Sequence, residues 1–590
     1  MTFNKPRHYL ACAVISLLLS SGAFWYYHLA PNGLLFLLAV FGLGTAIHLS
    51  WDVRDRRTII CSAFFSFALA ASYVIGDKYN RQTRIFAEFQ WSDVVFWLLL
   101  GMLLYFPLSV LLRFVSRQSL KPRPHPKRLR TFLIAAGIIF VAWLPTFLAW
   151  APGIITGDSM GTVNQSVGIT PYNNHHPILY TLFNQIWIRL GLQIGGINTA
   201  IALSSLVQML VMAGILGYCL CWLDSKGAPR FVTVIVGLLF ALDPVIAIYS
   251  ITMWKDIMFG GFMLLWILYL IDTVQQKGRN LATLPGLLKM AALCLLVAFG
   301  RNNGVYVVLA MLFVLALSFR KHWKRFVPAA LAVMVTILVV QGPVYRLAGV
   351  RKSGFAESVG IPLQQIAYSV TQNGSMTPEQ EQFISNLLPL EEIKASYHPN
   401  FSDTIKFHPN FNNEYLEAHK GEFFQVWLGM LPSNFVSYIK AYCTQTLGYW
   451  HTGTTNWLID RSVLENDLGI AQRDIIEQVT GIDGQAIYNS YFQCVTGCPG
   501  LKYWYNIAFA VWAVLFMGVT LLLRRQYSKI LPLLPLVLLW GTMLIATPTF
   551  CEFRYMYSFH LSLPVLVVYL FLRDTTAQDD PTCVEESPEV

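Results

Sequence analysis

The residues with chemical capacity in this sequence are few and fall in short clusters. Asp158 stands in the stretch Pro152-Gly153-Ile154-Ile155-Thr156-Gly157-Asp158-Ser159-Met160, where glycines let the backbone turn tightly beneath the carboxylate. His175-His176-Pro177 follows, then Trp254-Lys255-Asp256, Arg301-Asn302-Asn303-Gly304 and Cys551-Glu552-Phe553-Arg554-Tyr555. A partly desolvated carboxyl has a raised pKa and can take a proton from an attacking hydroxyl. Arg grips phosphate oxygens through two parallel hydrogen bonds, and Lys offers a point charge. Each cluster also has a plain structural reading. Asp158 with Ser159 suits a helix N-cap, Asp256 a helix-terminal anion, Lys255 a snorkelling cation. The two histidines suit a solvated helix start, Glu552 and Arg554 a local pair. Taken together, one acid, two histidines and several cations suit a reaction between a lipid-linked phosphate and a hydroxyl.

The elements that must position these residues are membrane helices. Of 590 residues, 55% are hydrophobic and 13% charged, about half the charge of an ordinary soluble domain, and mean hydropathy is +0.50. A soluble enzyme, a disordered chain and a collagen-like fibre are excluded. Fourteen apolar runs are long enough to read as spans: 9–28, 33–50, 58–76, 94–115, 131–150, 198–222, 231–249, 257–274, 285–300, 304–319, 326–342, 505–523, 530–547 and 556–572. Residues 9–28 run too long for a cleavable signal peptide. The net charge of +10 is held in short basic clusters between the runs, which orients a membrane protein and does not indicate nucleic-acid binding.

With fourteen spans and a cytoplasmic N-terminus, Lys5-Pro6-Arg7, Arg54 to Arg57, the 121–130 run, Lys226, Arg279, Arg320 to Arg325 and Arg524-Arg525 all fall inside. Both termini are then cytoplasmic, and the chemical clusters all face outside or the periplasm, in a multi-pass cytoplasmic (inner) membrane protein. Five regions follow: an N-terminal four-helix membrane module (1–118), a membrane core (130–342) whose first external loop is 151–197, an external soluble domain (343–504), three closing helices (505–575), and a cytoplasmic tail (576–590). A Pro-rich basic linker at 116–130 marks the first boundary. Residues 178–190, with Ile178, Leu182, Ile186 and Leu190 at helical spacing and Thr181, Gln185 and Arg189 on another face, predict an amphipathic helix lying on the outer membrane surface. His175 and His176 would stand at its N-terminus, where anions are favoured. Asp243-Pro244 lies inside the seventh span, where an ionisable residue is a functional candidate and Pro kinks the helix. Cys494 and Cys498 are spaced for a short disulfide in an oxidising compartment; the alternative, a metal pair, has no nearby His or Cys partners to support it.

The stretches Pro152–Asp158, His176-Pro177, Trp254-Lys255-Asp256, Arg301-Asn302-Asn303-Gly304 and Glu552-Phe553-Arg554-Tyr555 resemble the GT-C superfamily of membrane glycosyltransferases, in particular bacterial members with a Gly-Asp-Ser first loop and a His-Pro step. The likeness covers spans five to fourteen. It implies an all-α polytopic GT-C-like core with an external soluble domain that helps bind the acceptor. The donor it implies is a polyprenyl-phosphate sugar, the acceptor a hydroxyl on a glycan, lipid or protein, and the outcome inversion. On that resemblance Asp158 is the general base. Arg301, Lys255 and Arg554 are candidates for the donor phosphate, and His175 and His176 for positioning. Asp256, Asn302 and Glu552 complete the substrate-binding set. Some GT-C enzymes use a divalent metal and others do not. The first loop has no Asp-x-Asp or Glu-x-Asp pair, so no metal ligand is assigned and a divalent cation stays open. A transporter or flippase of lipid-linked saccharides is the alternative from another class. It predicts repeated halves and midplane breaks, whereas here the halves do not resemble one another and the polar motifs sit at one surface.

Overall fold

The structure, a computed structural model, describes residues 5–26, 33–51, 53, 55–79, 88–121, 125, 128–547 and 549–573. Arg54, residues 122–124 and 126–127 of the basic linker, and the 576–590 tail lie outside them. Among the described residues the chain is helical, with only isolated β-bridges between extended segments. Backbone that enters lipid must satisfy its hydrogen bonds internally, and long apolar runs do so as helices.

Fourteen helices bring the chain to the insertion: α1 (Lys5–Tyr26), α2 (Gly33–Ser50), α3 (Arg56–Tyr79), α4 (Trp91–Arg117), α5 (Leu129–Ala149), α6 (Gly157–Val167), α7 (Ile178–Ile194), α8 (Ile197–Ser225), α9 (Arg230–Leu242), α10 (Pro244–Ser250), α11 (Lys255–Gln275), α12 (Leu284–Gly300), α13 (Gly304–Ser318) and α14 (Trp323–Val339). Three more, Ile507–Leu523, Leu534–Ala546 and Tyr557–Phe571, close the core. Among the described residues, eight helical stretches are long and apolar enough to cross a membrane, nine when α9 and α10 count as one bent span. The protein is therefore a polytopic helical membrane protein. Several of the fourteen predicted runs form shorter helices: α12 has 17 residues, α13 has 15, and Tyr557–Phe571 has 15.

At the centre is α11, apolar on every face and buried on nearly all of them, with Ile257, Met263, Leu264, Trp266, Ile267, Leu270 and Ile271 inaccessible. Helices α5, α8, α12 and α13 and the closing helices share its core. The N-terminal helices stand apart, with two small clusters of their own around Cys12–Ile47 and Ala70–Leu100. They join the rest mainly through α3: Ser72 Oγ donates to Trp450 O (2.9 Å), and His451 Nε2 meets Asp77 Oδ1 (3.2 Å). At the other end of the bundle Arg524 staples the linker to the core, donating to Ser116 O (3.0 Å), Val115 O (2.6 Å), Gln118 O (2.7 Å) and Leu570 O. A cation placed by the orientation rule is thus also a structural clasp.

The seventh predicted span is broken. Pro244 lacks an N–H and cannot continue α9, so α10 departs at 57°. Asp243 caps α10, accepting from Val245 N (2.8 Å) and Ile246 N (3.2 Å), and its other oxygen meets Trp504 Nε1 (2.8 Å) and His560 Nε2 (2.9 Å). Those contacts give Asp243 a structural duty at the break, which is the role the structure assigns in place of a free functional acid.

The 343–504 insertion, expected as one soluble domain, packs as two parts. Helix α14 first runs on through a wide turn at Gly342-Pro343 to Leu347. Residues 356–441 then enclose a separate core around Leu363, Ile366, Phe383, Phe423 and Tyr438. Beyond 447 the apolar residues Tyr449, Ile459, Ile470, Tyr488 and Phe492 join the main core instead. Gln485 Nε2 donates to Ala149 O (2.9 Å), and Arg473 N to Ala151 O (2.7 Å), so this second part caps the end of α5. Cys494 and Cys498 are free thiols, not a disulfide.

Candidate functional site

The chemical clusters meet at the helix ends opposite Arg524, where α5, α6, α11, α12 and the closing helix Tyr557–Phe571 begin or end. Between α5 and α6 the chain is extended and held on both sides. Ile154 N donates to Ile251 O (3.1 Å), Met253 N to Ile154 O (3.2 Å), and Leu464 N to Ile155 O (2.7 Å). Gly153 allows this: its φ is +129°, and a Cβ there would lie 2.9 Å from Ile251 O.

The cap of α6 is Thr156, not Asp158. Thr156 N donates to Ser159 Oγ (3.1 Å), and Thr156 Oγ1 accepts from Trp254 Nε1 (2.7 Å). Asp158 is two residues past the cap position, and its carboxylate turns to Arg554. Arg554 Nη1 reaches Asp158 Oδ2 at 2.6 Å while its Nε reaches Glu552 Oε2 at 2.5 Å. The guanidinium lies over Trp254 (4.7 Å) and Tyr555 (5.1 Å). Glu552 does pair with Arg554, but the pair extends to an acid nearly four hundred residues earlier in the chain.

Arg301 lies on the same aromatic ring, 4.6 Å from the centre of Tyr555. It donates to Tyr555 O (3.1 Å) and meets Asp256 at 2.9 Å, an acid only 1% exposed. Arg301 is therefore already engaged, and its first duty is to neutralise Asp256. Lys255 Nζ donates to His175 O (3.2 Å), with no carboxylate in ion-pair reach among the described residues. Asn302 Nδ2 donates to Asn174 O (2.8 Å), so it braces the histidine loop from outside.

His175 and His176 lie before α7, their rings edge to face at 4.9 Å. Each offers a ring nitrogen close to Asp158, with one ligand atom from each of the three residues within 4.8 Å of the others. The histidines thus face the acid of α6 rather than acting as a free anion clamp at the start of α7. Helix α7 is amphipathic, in part as predicted: Leu182, Ile186 and Leu190 are exposed and Thr181 and Gln185 buried against the protein, but Ile178 is buried and Arg189 exposed, each on the opposite side from the one expected. Beside the histidines opens a cavity of about 360 Å³, lined by Gly161, Asn164, Gln165, Asn173, His175, His176 and Arg351 among others. The insertion borders it through Arg351, and Glu357 and Lys406 farther along the insertion act electrostatically on His175.

The electrostatics correct one expectation. Burial pushes the Asp158 carboxyl up, but Lys255 and Arg554 outweigh it and hold the group well below the usual carboxylate range. The raised pKa expected from desolvation is reversed because two cations stand beside the acid. Burial, reinforced by Lys255, pushes His176 down to about 3 and lowers His175 as well, so both imidazoles are neutral at pH 7.

Sequence reasoning missed Gly161 and Arg351 and underrated Trp254 and Tyr555. Gly161 had a signal, one helical turn after Asp158 on the same face; Arg351 had none. A Cβ at Gly161 would sit 2.4 Å from His176 Nε2, so the histidine fits only against glycine. Gly161→Ala is expected to cost about 1–3 kcal/mol by displacing the ring. Gly161→Ala/His176→Ala should recover most of that. Melting curves in detergent read both variants, and equal losses in the two would dismiss the fit.

Fold and site together define a polytopic helical membrane protein with a buried cluster of ion pairs and neutral imidazoles at one end of its bundle. More narrowly, the chain belongs to a family of unknown function, DUF6020, whose profile spans residues 168–583. That span holds His175, His176, Lys255, Asp256, Arg301, Asn302, Glu552 and Arg554; helices α1–α6, with Asp158 on the last of them, precede it. No curated protein and no solved structure matches the chain.

Proposed function

We propose that the protein is a GT-C-type membrane glycosyltransferase. It moves a sugar from a polyprenyl-phosphate donor to a hydroxyl acceptor with inversion, at the external or periplasmic face of the cytoplasmic membrane. The observation that carries this reading is the convergence of Asp158, Lys255 and Arg554, from three distant parts of the chain, next to a cavity bounded by the insertion. Lys255 and Arg554 suit a phosphate monoester. Asp158 suits the acceptor proton, once the donor phosphate offsets the cations that depress it. The acceptor oxygen then forms its bond to the anomeric carbon as the bond from that carbon to the phosphate oxygen breaks. The electron pair leaves on the phosphate, and the hydroxyl proton passes to Asp158. A lipid phosphate leaves without protonation, so a second carboxylic acid is not needed.

The test is to supply the protein in lipid nanodiscs with a panel of labelled polyprenyl-phosphate sugars. Release of free polyprenyl phosphate with label in a second product is expected. Movement of intact donor between leaflets with no bond broken would instead favour transport, the reading to which the 57° break at Pro244 lends support.

The fourteen-span topology, with both termini cytoplasmic, makes a separate prediction. Cys494 is exposed on the insertion. It should react in intact cells, after mild reduction, with a maleimide that does not cross the cytoplasmic membrane. Labelling only after lysis would place the insertion, and the site beside it, in the cytoplasm.

A further inference from the structure

We infer that Asp158, His175 and His176 form a binding site for an imidazole-preferring divalent cation of the Zn²⁺ type, open on the side of the neighbouring cavity. One ligand atom from each lies within 4.8 Å of the other two, a spacing that small side-chain rotations tighten to tetrahedral ligation at about 2.0–2.2 Å. Among the described residues neither histidine ring has a hydrogen-bond partner, although His176 is only 9% exposed. The ring nitrogens are therefore free to take a ligand from the side of the cavity that both residues line.

The supports are those of a built site. Arg554 holds Asp158 by Oδ2 and leaves Oδ1 without a protein partner among the described residues. Gly161 clears the space into which His176 Nε2 projects. Three protein ligands with one open side is the arrangement of a working zinc ion rather than a closed structural one. Two nitrogens and one oxygen select against Mg²⁺ and Ca²⁺, which take oxygen ligands.

The surroundings add a coupling that rests on the glycosyl-transfer reading. Asp158, Asp256 and Glu552 balance Lys255, Arg301 and Arg554, so a dication leaves the cluster positive and a phosphate restores neutrality. Cation and prenyl phosphate should therefore each tighten the other's binding.

The experiment uses the full chain in detergent, stripped with a chelator, in a His48→Ala background. That change removes the His8–Cys12–His48 cluster at the far end of the bundle, whose ligand atoms also lie within 4.8 Å of one another. Titration with Zn²⁺ should then show about one ion per chain. His175→Gln/His176→Gln should abolish uptake, and Asp158→Asn should weaken it at least about tenfold, in line with the loss of one anionic ligand. Excess Mg²⁺ should not compete. Adding a short-chain prenyl phosphate should lower the Zn²⁺ dissociation constant. Uptake unchanged in the double histidine variant, or none in the His48→Ala protein, overturns the site. The two readings fail separately. One bound Zn²⁺ with no sugar transferred from any donor counts against the glycosyltransferase alone, and sugar transfer by a chain that takes up no Zn²⁺ counts against the cation site alone.

Discussion

Asp158→Asn is expected to lower sugar transfer by about a thousandfold or more, within the range that general base catalysis contributes, while the protein still folds and inserts. The amide keeps the shape of the carboxylate and cannot take a proton. Folding should survive because Arg554 keeps Glu552 at 2.5 Å and remains stacked between Trp254 and Tyr555, so no guanidinium is orphaned. In protein stripped of divalent cations, donor binding should hold or strengthen, since removing one negative charge leaves Lys255 and Arg554 less compensated and more attractive to a phosphate. The prediction is therefore a split: turnover collapses while donor affinity does not fall. Single-turnover release of polyprenyl phosphate reads the first quantity and equilibrium binding of an uncleavable donor analogue the second. Normal turnover, or a loss that follows the melting temperature down, would remove Asp158 from the chemistry. The depressed pKa sharpens the argument. In the free protein the two cations make Asp158 a poor base, and a donor phosphate that engages them is what restores its basicity. Base strength and donor binding are thereby tied together, which discourages proton abstraction before a sugar is in place.

Much of the architecture could be read from the chain because apolar length is a direct physical signal. The bend in the seventh run was legible from Pro244, which cannot continue a helix, but the capping role of Asp243 was not. The amphipathic faces of α7 also came through, because Leu182, Ile186 and Leu190 obey a period set by the helix itself. What sequence could not give was partnership at a distance. Asp158 looked like a cap because Ser159 and Gln165 follow it, yet Thr156 had the better geometry and took that role. Glu552 and Arg554 looked like a closed local pair, and the third member, Asp158, lay 396 positions away. The sign of the Asp158 pKa shift followed from that contact and from Lys255, so it could not be foreseen from burial. The division of the insertion was hidden for a related reason. Tyr449, Tyr488 and Phe492 are as apolar as residues of an independent domain, and only the end of α5 and the start of α10 show where they are buried.

Arg301→Ala should act first on stability, contrary to its expected role as a donor phosphate ligand. Its partner Asp256 is 1% exposed, and the Arg301 side chain itself only 11%, so solvent can replace little of what the guanidinium provides. Removing one member of such a buried pair costs about 3–5 kcal/mol, because the remaining charge stays desolvated and unmatched. Tyr555 O would lose its donor as well. The control is the paired change: Asp256→Asn/Arg301→Gln removes both charges, leaves groups that can hydrogen-bond to one another, and should recover more than half of the lost stability. Melting in detergent, followed by tryptophan fluorescence, measures the single and double variants. Donor affinity measured on the double variant should then stay within about threefold of wild type, a difference below about 0.7 kcal/mol. If instead Arg301→Ala melts like the wild type and binds donor at least tenfold more weakly, Arg301 is a phosphate ligand and the Asp256 pair is incidental. The distinction matters for the mechanism because it decides how many cations face the donor. With Arg301 committed to Asp256, the work falls to Lys255 and Arg554, the two that also set the charge state of Asp158, and the same pair then governs both the binding of the leaving group and the readiness of the base.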